Sequence, residues 1–239
     1  MIRQSPIDLK GKRGQLMAFV YHSSRHNRLL RRVPHQGIYA RGGKRLFDIA
    51  VCLALLPVVS LTILLLWVIA KSQAPSGFFA HPRIGKNGVM FRCWKMQTMI
   101  ENADQALQDI LESHPDKKSE WAATRKLSND PRILPFCGFL RRSGLDELPQ
   151  IWNVLRGDMS LVGPRPVTEA ELVLYGEGIA DYLAIRPGIT GLWQVTARGA
   201  PCYVRRVKLD RQYARSVTFI GDVRILLSTL PILLRPTGQ

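Results

Sequence analysis

Two adjacent carboxylates, Asp146 and Glu147, stand between arginine-bearing segments of this chain: Arg141-Arg142 precede them, and Gly163-Pro164-Arg165-Pro166 follows. One carboxylate of such a pair can attack a phosphorus atom while the other binds a divalent cation that neutralises the developing charge. Guanidinium groups bind phosphate oxygens bidentately. The pair therefore indicates phosphoryl transfer. Further candidates for the same pocket are Asp130, Arg132 and Asp210.

The local pattern predicts that Asp146 is an N-cap residue, with Glu147 opening a helix that ends at Arg156 before Gly157. At a helix start, the macrodipole lowers carboxylate pKa values and attracts phosphate. The two acidic residues also have a purely structural interpretation, because Asp is a common N-cap and Glu is common in a first turn. On spacing alone, both interpretations stay open.

The composition is that of one sizeable folded domain of 239 residues. Lysine and arginine number 34 against 18 acidic residues, which gives a net charge of +16 and indicates polyanionic partners. The sequence has no nucleic-acid-binding motif, so anionic lipid or phosphorylated substrate is favoured. The four cysteines lack metal-ligand spacing and are interpreted as free thiols.

The segment from Ile49 to Ala70 contains 22 residues without a charge. As a helix it would be about 33 Å long, which is enough to cross the hydrocarbon core of a bilayer. It is not a cleavable signal, because a long segment precedes it and no small-residue cleavage site follows. Three structures are compatible with it: a spanning anchor, a buried core helix, or a re-entrant segment.

Charges on both sides of this segment favour the re-entrant form. Residues 1–47 carry eleven lysines and arginines against the single acid Asp8, and the chain after residue 70 is basic as well. Both flanks therefore prefer the same side of a membrane. Pro57 removes a helix hydrogen bond and divides the segment into parts about 12 and 20 Å long, which suit a hairpin better than a straight span.

Shorter elements are predicted beyond the apolar segment. A β-hairpin is predicted from Gly77 to Lys95, because Gly85-Lys86-Asn87-Gly88 contains the Asn-Gly turn signal. Apolar spacing predicts helices over residues 99–113 and 117–125, and residues 129–132 form a turn.

Two helices are predicted in the C-terminal part of the chain. Residues 203–215 alternate apolar and basic positions and suit a helix lying on anionic lipid. Residues 220–234 are apolar but short and interrupted by Pro231, which predicts an interfacial or packed helix.

Several motifs occur in an order that resembles the bacterial sugar transferase family, the small monotopic phosphoglycosyl transferases that start cell-surface polysaccharides. The resemblance runs from about Lys44 to about Leu234, and although each motif alone is weak, their order is specific. The motifs are Lys44–Asp48, Arg83–Gly88, Lys95–Met99, Asp130–Arg132, Leu140–Gln150, Arg156–Ser160, Gly163–Pro166, Arg186–Gln194 and Asp210–Tyr213.

The resemblance implies transfer of a phospho-sugar from a UDP-sugar to undecaprenyl phosphate, with release of UMP. UDP-galactose or UDP-glucose is expected, as for exopolysaccharide starters of the succinoglycan kind. By the same resemblance, Asp146 forms a covalent phospho-sugar intermediate, and Glu147 helps to bind Mg²⁺, the expected cofactor. The residues expected to bind substrate are Arg83, Lys95, Asp130, Arg132, Arg141, Arg165, Arg198 and Asp210.

The implied fold is α+β, mainly helical: a monotopic membrane protein with a proline-broken re-entrant helix, a small β-hairpin and surface amphipathic helices. Residues 1–40 are predicted to be a basic, flexible segment, 41–71 the membrane helix, and 72–239 a catalytic domain. The expected location is the cytoplasmic face of the bacterial inner membrane, in contact with its lipids. A homo-oligomer is left open, and no nucleic-acid partner is expected.

The sequence departs from the family pattern at two positions. Leu56 precedes the bending proline where the family often has Ser, and Ser60 is expected to compensate by bonding back to a main-chain carbonyl. Gln97 replaces a common arginine, which puts one phosphate contact in doubt.

Two functions from other classes stay open. One is a non-catalytic, membrane-bound basic protein that recruits a polysaccharide assembly complex. The other is a nucleic-acid-binding protein in which residues 49–70 form a core helix.

Overall fold

The computed structural model describes residues 37–74, 76–124, 127–135, 137–197 and 203–234. Its strands are β1 Phe78–Ile84, β2 Met90–Met96, β3 Ser160–Val162 and β4 Gly188–Thr190. Its α-helices are α1 Lys44–Lys71, α2 Ala103–Ser113, α3 Pro115–Thr124, α4 Cys137–Ser143, α5 Gln150–Arg156, α6 Glu169–Leu172, α7 Ile179–Leu183, α8 Leu192–Thr196, α9 Tyr203–Arg215 and α10 Phe219–Leu234. The mainly helical α+β prediction is confirmed. The predicted segment 1–40 lies almost entirely outside the described residues.

The long helix α1 exposes its apolar side chains. Leu53, Val58 and Leu65 are more than half exposed, and in the described part of the chain only the helix from Tyr39 to Lys71 is long and apolar enough to cross a membrane. Exposed apolar surface of this extent contradicts the soluble-core interpretation and agrees with monotopic membrane association. The helix continues through Pro57, so a re-entrant bend at that residue stays a prediction. The Ser60 hydroxyl donates to the Pro57 carbonyl at 3.1 Å, as expected.

The first turn of α1 is fixed to the rest of the protein by buried polar contacts. Asp48 is 2% exposed and accepts hydrogen bonds from the Ser160 hydroxyl and the Leu161 amide, both at 3.1 Å. Asp222 of α10 is fully buried and pairs with Lys44. These contacts fix the N-terminal end of the apolar helix, while side chains such as Leu53, Val58 and Leu65 on its other side remain exposed.

The predicted hairpin is confirmed. Strands β1 and β2 pair antiparallel from Phe78↔Met96 to Ile84↔Met90. Their connection contains Asn87 and Gly88 in the left-handed region, at φ 58° and 74°, which is the conformation that the Asn-Gly signal requires. A second, parallel pair joins β3 to β4, and the sequence did not predict it.

The remaining helices differ from the sequence-based boundaries. Helix α2 begins at Ala103 and not at residue 99, because Met99 pairs with Ile133 in a β-bridge. Helix α3 spans Pro115–Thr124 in place of 117–125. Helix α9 has the predicted range. Arg206 and Asp210 are buried against the protein, whereas Arg205, Lys208 and Arg215 are exposed, so contact of this helix with an anionic membrane surface stays a prediction.

The main core lies between the N-terminal half of α1, strands β2 and β3, and helices α5, α9 and α10. Its buried members are Cys52, Phe91, Cys93, Ile151, Val154, Met159, Leu161, Val162, Ile185, Tyr213, Ala214, Val217 and Ile225. Helix α10 contributes Ile225 to this core while its Phe219 and Ile220 are exposed, so it is packed along one side, as predicted for a non-spanning helix.

Candidate active site

Asp146 and Glu147, here called the dyad, lie in the single 3₁₀ turn Leu145–Glu147 between α4 and α5. The prediction that Asp146 caps a helix is wrong, because α5 begins only at Gln150, after Pro149. Pro149 has no amide hydrogen to donate, which suits the position before the first turn of a helix, and here it precedes the first residue of α5. The dyad is consequently held by a separate turn.

Glu147 is held by two cations. The Lys95 ammonium on β2 lies 2.6 Å from its Oε1, and Nη1 of Arg165 lies 3.3 Å from the same oxygen. Burial disfavours the charged carboxylate, but these two cations outweigh it and hold the pKa of Glu147 well below its usual range. Glu147 is therefore a permanent anion at neutral pH.

Asp146 lies in the opposite environment. The residue is 6% exposed, and burial raises the pKa of its carboxyl group. The negative charge of Glu147 raises that pKa further, while Lys95, Arg141 and Arg165 oppose the shift. A pair of carboxyl groups with pKa values pushed apart is typical of sites where the two groups have different chemical tasks. A more basic carboxylate is also the better nucleophile of the two.

A narrow cleft at Glu147 contains three of the cationic residues predicted from the sequence, and Asp146 lies outside its lining. It is lined by Arg83, Cys93, Lys95, Glu147, Gln150, Arg165 and Pro166. The structure thus brings Arg83, Lys95 and Arg165 together at Glu147. Gln150 is 1% exposed, and its Oε1 has no hydrogen-bond partner among the described residues. A buried acceptor of this kind needs a partner, which a bound substrate donor could supply.

Asp130 and Arg132 pair with each other. Arg132 donates two hydrogen bonds to the Asp130 carboxylate, at 2.8 and 2.6 Å, and stacks over the Trp121 ring at 5.5 Å. Its Nη1 also donates to the main chain of α2 at 3.2 Å. These contacts fix α2 and α3 to the turn that carries Asp130. Arg141 donates to the Thr98 hydroxyl at 3.2 Å and lies close enough to both Asp130 and Asp146 to lower their pKa values.

Asp210 does not contact the dyad. It accepts a hydrogen bond from the Tyr175 hydroxyl at 2.7 Å and lies 3.7 Å from the guanidinium of Arg206. Burial raises the pKa of Asp210 to about 6, against the effect of these two partners. Arg198, the remaining predicted residue, lies outside the described residues.

Sequence reasoning missed two charged residues of this region, Glu171 and Arg206. The Glu171 carboxylate lies 3.0 Å from the guanidinium of Arg83 and 3.8 Å from that of Arg206. A signal for Glu171 was present, because Thr168 and Glu171 have the spacing of a capping box, which the structure contains. Arg206 had no such signal, since it stands in a run of basic residues that resembles a solvated helix face.

The dyad is compatible with Mg²⁺, although no cluster of three or more metal-binding side chains occurs within the described ranges. Magnesium is commonly bound by one or two protein carboxylates, with water and substrate phosphates as its other ligands. Both cations that contact Glu147 meet its Oε1, so its other carboxylate oxygen would be the ligand. The carboxylate of Asp146 is the neighbouring group with oxygen atoms that could also bind Mg²⁺.

Comparison with known proteins gives one consistent result. The family described as bacterial sugar transferase matches residues 39–236. The exopolysaccharide production protein ExoY of Rhizobium meliloti is 44% identical over 197 residues, which cover 82% of this chain and 87% of that protein. The undecaprenyl-phosphate galactose phosphotransferase of Salmonella typhimurium is 40% identical over 195 residues, covering 82% of this chain and 41% of that longer protein. The UDP-galactose-lipid carrier transferase of Erwinia amylovora is 41% identical, with the same two coverages.

Proposed function

Because this chain belongs to the bacterial sugar transferase family, we propose that it is the sugar-phosphate transferase that starts an exopolysaccharide on a polyprenyl phosphate carrier. The donor is a UDP-sugar, UDP-galactose or UDP-glucose, and the acceptor is undecaprenyl phosphate. The products are undecaprenyl-diphosphate-sugar and UMP. The names of the Rhizobium, Salmonella and Erwinia relatives support the reaction class and the carrier.

The observation that carries the proposal is the contrast within the dyad. Glu147 is fixed as an anion between Lys95 and Arg165, whereas burial makes Asp146 the more basic carboxylate. A site for anionic phosphates needs cations, and a covalent mechanism needs a nucleophile beside them. Both are present within one cleft and its adjoining turn.

The proposed reaction has two displacements at the same phosphorus atom. An oxygen of the Asp146 carboxylate attacks the phosphorus that bears the sugar, and the bond from that phosphorus to the UMP oxygen breaks. UMP leaves with the electron pair. A phosphate oxygen of undecaprenyl phosphate then attacks the phospho-sugar, forms the diphosphate bond and releases the Asp146 carboxylate unchanged.

The cations of the site bind and orient the phosphates in both steps. Arg165 is about a third exposed and can reach substrate while keeping its contact with Glu147. Lys95 and Arg83 line the same cleft and oppose the negative charge that the two phosphates bring together. When bound at Glu147, Mg²⁺ would add a further positive charge near the departing UMP.

The membrane helix places this site where a lipid phosphate can reach it. We propose that α1 enters the bilayer and returns at Pro57, with the catalytic residues on the cytoplasmic face of the inner membrane. The exposed apolar surface of α1 and the basic residues on both of its flanks support this topology. A nucleotide sugar and a lipid phosphate could then meet at one interface.

The test is UMP release by the purified protein in detergent. The protein is incubated with undecaprenyl phosphate and, in separate reactions, UDP-galactose, UDP-glucose and their N-acetylated counterparts. Multiple turnovers with one of these donors, dependent on the lipid, are expected. Absence of UMP with every donor would reject the proposed transferase activity and favour the alternative of a non-catalytic recruiting protein.

A further inference from the structure

Arg206 is a buried arginine next to the proposed active site. The residue is 6% exposed and belongs to α9, far in sequence from the dyad. Its Nη2 donates a hydrogen bond to the main-chain carbonyl of Arg165 at 3.3 Å. Since the guanidinium of Arg165 contacts Glu147 at 3.3 Å, Arg206 is separated from the dyad by a single residue.

The guanidinium of Arg206 is enclosed by aromatic rings and carboxylates. Its central carbon lies 5.0 Å from the ring centre of Tyr203, 5.3 Å from that of Trp193 and 6.0 Å from that of Tyr175. Asp210 and Glu171 lie 3.7 and 3.8 Å from its nitrogens, at ion-pair distances, and its buried Nε has no hydrogen-bond partner among the described residues. Aromatic rings and carboxylates together fix the plane of a guanidinium, which a lysine ammonium cannot reproduce.

The segment that carries Arg165 depends on such external contacts. It lies between Pro164 and Pro166, neither of which has an amide hydrogen, so it cannot form regular hydrogen-bonded structure of its own. The main chain is held on one side by β4, through a bond from the Gly188 amide to the Pro164 carbonyl at 2.8 Å. Arg206 donates a hydrogen bond to the next carbonyl, that of Arg165.

We propose that Arg206 is a positioning residue for the transfer reaction. By holding the main chain of Arg165, it keeps the Arg165 guanidinium in the position where it contacts both Glu147 and the transferred phosphate. Asp210 and Tyr175 in turn hold Arg206. This inference rests on the proposed function, and it assigns Asp210 a task that requires no contact with substrate. Glu171 extends the same support to Arg83, since it contacts both arginines.

The kinetic test compares Arg206→Gln with Arg211→Gln, a matched control on the same helix. Arg211 pairs with Asp181 at 3.0 Å, away from the Arg165 segment. Each substitution is made in the wild-type sequence and in an Arg165→Lys background, and kcat and KM are measured for every protein. If Arg206 acts through Arg165, Arg206→Gln lowers kcat about ten- to a hundredfold in the wild type. In the Arg165→Lys background, Arg206→Gln lowers kcat by less than about a further twofold, because the two residues act as one unit.

A purely structural Arg206 gives a different result. Arg206→Gln would then lower the amount of folded protein. Its effect on kcat per folded molecule would be absent, or would multiply with the effect of Arg165→Lys. Either outcome overturns the proposal. If Arg206→Gln does not yield folded protein, Arg206→Lys is used for the same comparison, since it keeps the charge and loses the planar group.

A second measurement is independent of catalysis. Hydrogen–deuterium exchange of the peptide containing Gly163–Val167 is compared between the wild type and the two glutamine variants. Arg206→Gln should accelerate exchange in this peptide, and Arg211→Gln should not. Unchanged exchange would overturn the positioning role even if the wild type released no UMP, whereas accelerated exchange in an inactive wild type would reject the proposed function alone.

Discussion

Asp146 and Glu147 are adjacent in the chain, yet their carboxyl groups lie in opposite electrostatic environments. Two cations converge on Oε1 of Glu147 and lower its pKa, whereas burial raises the pKa of Asp146. The dyad therefore contains one carboxylate that stays charged and one whose charge depends on pH. This difference gives the proposed mechanism a measurable pH dependence.

The formation of the covalent intermediate should fall at low pH. Asp146 reacts only as the anion, and its raised pKa means that it is protonated at a pH above the ordinary aspartate value of about 3.9. Lys95→Met should move this acid limb to higher pH, because Lys95 is the strongest of the cations that favour the ionised form. The measurement is the rate of labelling by a UDP-sugar with a radiolabelled sugar, without acceptor. Lys208→Met, at an exposed position of α9, is the control, and a limb that stays in place or moves down in Lys95→Met would exclude this electrostatic account.

The reaction should require a divalent cation. Two phosphates and two carboxylates meet in one partly dry site, where each pair of like charges repels by several kcal/mol. EDTA should abolish UMP release, and Mg²⁺ should restore it. Glu147→Gln should raise the Mg²⁺ concentration needed for half-maximal activity, while Glu112→Gln, on the exposed surface of α2, should not. Full activity in the presence of chelator would remove the metal-binding task from Glu147.

Both ends of α1 should lie in the cytoplasm. Single cysteines are placed at Ile38, which is 91% exposed, and at Ser72, in a background that lacks Cys202. The cysteines Cys52, Cys93 and Cys137 are buried and can be retained. A membrane-impermeant maleimide should label neither site in intact spheroplasts and both after permeabilisation.

Pro57 should matter for this topology even though it lies far from the dyad in sequence. Pro57→Ala restores a missing helix hydrogen bond and favours a straight helix of about 33 Å, long enough to span. It should therefore increase labelling from outside and reduce UMP release. Outside labelling of either cysteine in the otherwise unchanged protein would establish a spanning topology.

The contact between α1 and α10 should contribute strongly to stability. Asp222 is fully buried and accepts hydrogen bonds from Tyr39 and Tyr213 at 2.7 Å in addition to its pairing with Lys44. Asp222→Ala removes the ion-pair partner of the partly buried Lys44 ammonium, which then has only Asp48 as a nearby acid among the described residues. It also leaves two tyrosine hydroxyls without this acceptor, and the loss costs about 3–5 kcal/mol. Thermal unfolding in detergent should show a large decrease in Tm, against little change for Asp109→Ala on the surface of α2. Equal Tm values would show that the pairing is not important for the fold.

Features encoded over a few residues could be predicted from the sequence. The hairpin was found because Asn87-Gly88 requires a left-handed turn, and the long helix because its apolar residues are continuous. Residue types drew attention to the dyad, and the family resemblance supplied the roles expected of its two carboxylates. The local structure of the dyad was not predicted, because Asp146 resembles an N-cap and the stronger signal, Pro149, was not taken into account.

Features that depend on distant parts of the chain could not be predicted in this way. Arg206 donates a hydrogen bond to a carbonyl 41 positions away in the chain, and Asp48 accepts one from a hydroxyl 112 positions away. Neither contact leaves a pattern in neighbouring residues. Arg206 was consequently grouped with the exposed basic residues of α9, and Asp210 was expected at the substrate and not behind Arg206.

The central claim is that Asp146 carries the phospho-sugar during the reaction. Asp146→Asn should leave the protein folded, since Asn has the same size and its introduction removes a charge whose burial is unfavourable.

Wild-type protein and Asp146→Asn are each incubated with Mg²⁺ and a UDP-sugar that has a radiolabel in the sugar, without undecaprenyl phosphate, and the denatured protein is examined for bound label. The wild type should retain label at Asp146, release a matching amount of UMP, and lose the label when undecaprenyl phosphate is added before denaturation. The variant should acquire none. Near-normal UMP release by Asp146→Asn, or label bound to it as in the wild type, would contradict the assignment of Asp146 as the nucleophile.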